Sequence, residues 1–161
     1  MAEVDGNFLV PGQWKDDPTW SVYDTWASVY QYSPNGTLLQ RKDYFFGRNS
    51  SAGHILPKVD SHYWLVGGTE LPGEEPDHVT QVWEIDENLD SLWMRRYWFY
   101  GTNNASSSVY SVRTTSDGGL VMCGMTRQGE TDPLPNLRSN WLIKLDEHGC
   151  LVPGCQNVGI D

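Results

Sequence analysis

The sequence predicts an all-β fold, and three observations carry that prediction. Eight Trp, eight Tyr and sixteen Gly in 161 residues favour pleated, half-buried surfaces and tight turns over helix. No segment sustains a capped helical period over about ten residues. The third observation is internal repetition, because the chain states one pattern three times.

The clearest statement is Asp117-Gly118-Gly119-Leu120-Val121-Met122-Cys123-Gly124, a turn leading into an apolar strand. Asp60-Ser61-His62-Tyr63-Trp64-Leu65-Val66-Gly67 and Asp5-Gly6-Asn7-Phe8-Leu9-Val10-Pro11-Gly12 match it at spacings of 57 and 55 residues. A second set follows each of these: Ser28-Val29-Tyr30-Gln31-Tyr32, Gln81-Val82-Trp83-Glu84-Ile85 and Trp141-Leu142-Ile143-Lys144-Leu145. Arg41-Lys42-Asp43-Tyr44-Phe45-Phe46-Gly47 and Arg95-Arg96-Tyr97-Trp98-Phe99-Tyr100-Gly101 form a third set, present in two of the repeats.

Taken in order, the middle unit reads as four strands, at 54–59, 63–69, 80–86 and 92–100. Val82 alternates with polar Gln81, as a strand requires. Asn35-Gly36 and Asp117-Gly118-Gly119 supply the positive φ of tight hairpins. A period of roughly 50 residues with four strands per unit is the pattern of a β-propeller blade. The expectation is therefore one repeat region over residues 1–161, a partial propeller of about three four-stranded antiparallel blades. Its units run 1–47 (partial), 48–101 and 102–161 (partial). The chain is expected to open in strand two of its first blade and to end after strand three of its third. Propellers close with about four to eight blades, so further blades of the same protein are expected outside this chain.

Composition bounds the function. A net charge of −10 argues against nucleic acid, whose phosphates need Lys and Arg. No apolar run approaches the ~20 residues of a membrane span. The first residues, Met1-Ala2-Glu3-Val4-Asp5, lack the basic and apolar stretches of a signal peptide. Cys150 and Cys155 flank a Pro-Gly turn that can bring them to bonding distance in an oxidising compartment. Cys123, inside an apolar strand, reads as a small buried hydrophobe.

The repeats resemble the propeller-like region of secreted Bacteroidota proteins that carry a type IX secretion C-terminal sorting domain. The resemblance lies in Ser116-Asp117-Gly118-Gly119 before an apolar strand, in Trp141-Leu142-Ile143-Lys144-Leu145-Asp146, and in the ending through Cys150-Leu151-Val152-Pro153-Gly154-Cys155. It implies an extracellular or cell-surface location and assigns no catalytic residue.

The long segments between strands two and three, 13–27, 70–79 and 127–139, vary while the strands repeat. They hold Asp16, Asp17, Asp24, Glu70, Glu74, Glu75, Asp77, Glu130 and Asp132, with Trp14, Trp20, Tyr23, Trp26 and His78 beside them. Rings that stack and carboxylates that accept hydrogen bonds suit glycans, basic peptides or Ca²⁺. The expected ligand-binding set is Trp14, Asp16, Asp17, Trp20, Glu74, Glu75, Asp77 and His78, in a non-catalytic binding or structural module that engages glycans or proteins. The alternative is a carboxylate-dependent glycoside hydrolase of propeller fold, which needs two acids with separated roles. No metal cofactor is expected beyond a weak case for Ca²⁺. Asp86-Glu87-Asn88-Leu89-Asp90 resembles the start of a calcium loop, but Ser91 and Tyr97 stand where the loop needs Gly and Glu, so a hairpin turn explains it better.

Overall fold

A computed structural model describes residues 1–15, 25–44, 48–71, 76–100, 104–130, 137–152 and 155. The described residues form three successive antiparallel meanders. The first comprises β1 (Ala2–Val4), β2 (Asn7–Trp14), β3 (Trp26–Tyr32) and β4 (Leu38–Tyr44). The second comprises β5 (Arg48–Pro57), β6 (Tyr63–Glu70), β7 (His78–Ile85) and β8 (Ser91–Tyr97). The third comprises β9 (Ser106–Thr114), β10 (Leu120–Arg127) and β11 (Arg138–Leu145). A single parallel pair, His78 with Ser106, links the second meander to the third at one corner, and neither resulting sheet closes on itself.

The three meanders pack face to face. Alternate residues of a strand point to opposite faces, and the middle sheet is covered on both. Tyr63, Leu65, Trp83 and Ile85 pack with Leu9, Ala27, Val29 and Tyr44 of the first meander. Trp64, Val66, Val82 and Tyr97 pack with Val112, Leu120, Met122 and Leu145 of the third. This double burial explains why β6 reads as a continuous apolar run rather than an alternating one. Trp64 and Trp83 are both fully buried. Each removes roughly 200 Å² from water, about 5 kcal/mol at 25 cal/mol per Å².

One tyrosine bond recurs at both junctions. Tyr44, closing β4, donates its hydroxyl to the Leu89 carbonyl at 2.7 Å, and Tyr97, closing β8, donates to the Gly149 carbonyl at 2.5 Å. The acceptors occupy the same position of matching turns. Asp86 accepts from the Asn88 and Asp90 amides, and Asp146 accepts from the His148 and Cys150 amides, through Oδ1 in each case. At the opposite end Thr25 Oγ1 donates to the Ser50 carbonyl and Thr80 Oγ1 to the Ser107 carbonyl, both at 3.2 Å, from positions two residues apart in the repeat, since Ala27 faces Tyr44 as Thr80 faces Tyr97. Ser50 and Ser107 are themselves equivalent: their hydroxyls meet those of Thr69 and Thr126 within the meander.

Gly67 and Gly124 repeat for a steric reason. A Cβ on either would lie 1.8 Å from a strand-one carbonyl oxygen, that of Ser51 or Ser108. The strands run this close beside irregularities in the pairing of β5 with β6 and of β9 with β10.

Several expectations are corrected. The chain does not open in strand two, because β1 precedes it. Asp5 and Gly6, at φ 48° and 78°, form a two-residue hairpin loop and turn Val4 back onto Asn7. Strand one of the middle unit begins at Arg48 rather than at 54, because serines and Ala52 reach their partners across the pairing irregularities. Strand four ends at Tyr97, where the ring turns inward to its carbonyl; Trp98 and Phe99 beyond it are exposed. Cys123 is not buried. It alternates with inward-facing Met122 and points to the outward face of the third meander, beside Leu142, which is 73% exposed.

Candidate functional site

Where β5 and β9, the first strands of adjacent meanders, approach each other, they leave a cleft of about 230 Å³. Ser51 and His54 of β5, Val66 of β6, His78 of β7, and Ser108 and Val109 of β9 line it. Glycines supply the room. A Cβ on Gly68 would lie 3.0 Å from His78 Cε1, so only glycine lets the imidazole lie against this strand.

Local structure fixes His78. It opens β7 opposite Glu70 at the end of β6, and the Leu71 amide donates to the Asp77 carbonyl at 2.7 Å to close the base of the loop. Asn49 Nδ2 holds the Glu70 carboxylate at 3.0 Å. The Nδ1 atom of His78 is buried and has no hydrogen-bond partner.

Both histidines of the cleft are pushed toward the neutral form. For His78 burial is the main cause and Arg127 adds to it, while a Ser107 backbone hydrogen bond and the Glu70 charge work in the opposite direction. For His54 burial again leads, followed by the charges of the Met1 amino group and Arg113. The positive charges that act on the two rings are the Met1 amino group, Arg113 and Arg127, and the negative one is Glu70.

The expected ligand-binding residues fall in different places. His78 joins His54 in the cleft. Asp77 contributes its carbonyl to the loop base. Trp14 lies on the outward face of the first meander, paired across strands with Trp26, and the Arg41 guanidinium stacks 4.0 Å from its ring centroid. Asp16, Asp17, Trp20, Glu74 and Glu75 lie outside the described residues, as do Tyr23, Asp24 and Asp132. Cys150 and Cys155 form the expected disulfide.

Sequence reasoning missed two features. It singled out His78 and not His54, since nothing in the spacing of residues 54 and 78 shows that they share a cleft. It also missed a buried polar network at the other end of the middle sheet. There Glu84 accepts from Lys58, from His62 Nδ1 at 2.6 Å and from Trp93 Nε1 at 2.9 Å, while the Lys58 ammonium sits 4.5 Å from the Trp64 ring centroid. Burial alone would raise the Glu84 pKa, but the Lys58 and His62 hydrogen bonds more than offset it and hold the carboxyl below its ordinary value.

Among the described residues, no group of three or more His, Cys, Asp or Glu side chains is placed to hold a metal ion. Asp86, first residue of the calcium-like stretch, spends its Oδ1 on the two amides of its own turn.

No known protein family and no curated protein matches the chain.

Proposed function

We propose that the chain is part of a β-propeller that acts as a non-catalytic binding or structural module outside the cell. The supporting observation is the repeated junction. The same Tyr-to-turn bond joins the first meander to the second and the second to the third, and a Thr-to-strand bond, from positions two residues apart in the repeat, accompanies it at the other end. An operation that maps one sheet onto the next, applied again, adds further sheets to both outward faces. Those faces carry side chains suited to burial: Trp14, Tyr30 and Tyr32 on the first meander, and Tyr110, Cys123 and Leu142 on the third. The occupants of both faces are further blades of the same polypeptide.

The variable segments 13–27, 70–79 and 127–139 join the same two strands of each meander, β2 to β3, β6 to β7 and β10 to β11. They are the surface for glycan or protein ligands. The Cys150–Cys155 disulfide accords with an oxidising compartment, and the repeats resemble those of type IX-secreted proteins. The test is electron microscopy of the natural full-length polypeptide together with a glycan-array screen. A ring of blades with glycan binding supports the reading, whereas an extended or unrelated arrangement of sheets contradicts it.

A further inference from the structure

We propose that the cleft between β5, β6, β7 and β9 binds a small oxyanion group, a phosphate, sulfate or carboxylate, through His54 and His78. The site is distinct from the loop surface above and does not depend on ring closure.

Four observations converge on it. The cleft is concave, and two imidazoles and two serines line it, which places several hydrogen-bonding groups around one small volume. His78 lines the cleft with its Cε1 and Nε2 edge against Gly68, and its buried Nδ1 has no hydrogen-bond partner. The flanking charges are mostly positive: the Met1 amino group and Arg113 toward His54, Arg127 toward His78. Glu70 is the one opposing charge among the groups acting on His78, and Asn49 already engages its carboxylate. Finally, Gly53, Gly67 and Gly68 are among the lining residues and bring backbone to the cleft.

The charge pattern selects the class of ligand. A cation would meet the Arg113 and Arg127 charges and the amino terminus. An oxyanion meets them favourably and accepts hydrogen bonds from the imidazoles and serine hydroxyls. An imidazole kept neutral by burial and cationic neighbours takes up a proton when an anion arrives. Binding therefore strengthens as pH falls through the histidine range.

Imidazole NMR signals of the intact chain, titrated with sodium phosphate, sodium sulfate or sodium acetate at constant ionic strength in sodium chloride, test this. The expected result is saturable movement of the His54 and His78 signals while His62 and His148 stay still. Affinity should be greater at about pH 6 than at about pH 8. Both His78→Gln and His54→Gln should weaken binding about tenfold or more, and Arg127→Gln should weaken it without removing either ring. His54→Gln keeps the test intact if His78→Gln fails to fold. Movement of all four histidines together overturns the proposal, as does wild-type affinity in both histidine variants. Zinc ion alone shifting the pair while the anions leave it unmoved also overturns it, since the cleft would then be a cation site. Which anion binds most tightly separates a phosphate or sulfate ligand from a carboxylate one.

Discussion

The hydroxyl of Tyr97 donates to the carbonyl of Gly149, 52 residues further along the chain, across the boundary between the second and third sheets. Tyr44 makes the same bond to Leu89 across the boundary between the first and second. Removing either hydroxyl leaves a buried carbonyl without its donor. Tyr44→Phe and Tyr97→Phe should each cost about 1–2 kcal/mol, measured by urea denaturation. Similar losses are expected because the geometry is the same. Burial raises both phenols, with neighbouring Asp90 adding to the rise at Tyr44, so the stabilisation is present below the ordinary tyrosine pKa and is lost as pH rises through the folded value. The Phe variants should therefore lose less stability in alkali than the parent does.

Glu84 is a buried carboxylate that stays charged because Lys58, His62 and Trp93 bond to it. Its folded pKa is depressed, so its contribution is present above the ordinary glutamate pKa and disappears as pH falls through the folded value. Lys58→Met should cost about 3–5 kcal/mol near neutral pH, since it strands the buried charge. Glu84→Gln should flatten the acid limb of the stability profile, measured as denaturation midpoint against pH.

Gly67 and Gly124 are required by close backbone approach, which substitution tests directly. Gly67→Ala and Gly124→Ala force the Ser51 or Ser108 carbonyl to move and should each cost about 3 kcal/mol or more. Gly53→Ala is the control, because its Cβ would meet nothing closer than the Val66 oxygen at 3.9 Å. Thermal unfolding followed by circular dichroism distinguishes the three variants.

The short loop closed by Cys150 and Cys155 follows directly on the Gly149 carbonyl that Tyr97 engages. In the chain-entropy account so small a loop contributes about 2 kcal/mol. Replacing both cysteines by serine should lower stability by that amount. The same replacement in a Tyr97→Phe background should cost less, because the disulfide and the hydroxyl secure one turn. A double-mutant cycle measures the coupling.

Much of the fold was legible in the sequence because its repeats encode geometry. Gly67 and Gly124 mark the close approach of strand one, Asp86 and Asp146 build the turn after strand three, and Tyr44 and Tyr97 end strand four. The misread elements depended on context that a repeat does not carry. Cys123 sits in an apolar strand as Met122 does, and only the stacking of sheets decides which of the two is covered. The cleft was less legible still. His54 and His78 stand on different strands of one sheet, and the groups that charge their surroundings, Met1, Arg113 and Arg127, come from elements far away in sequence. That juxtaposition is a product of the stacking.

Cys123 also provides the most direct measurement of the central claim, that the junction continues beyond these three sheets. It is the one thiol outside the disulfide and lies on the outward face of the third meander. The rate of its modification by a thiol reagent should be fast in this 161-residue chain at every protein concentration. In the natural full-length polypeptide it should be slow until the protein unfolds, because a further blade covers the face. Equal, fast modification in both would contradict the account, and so would protection of the isolated chain that grows with its concentration, which would make the occupant a second copy.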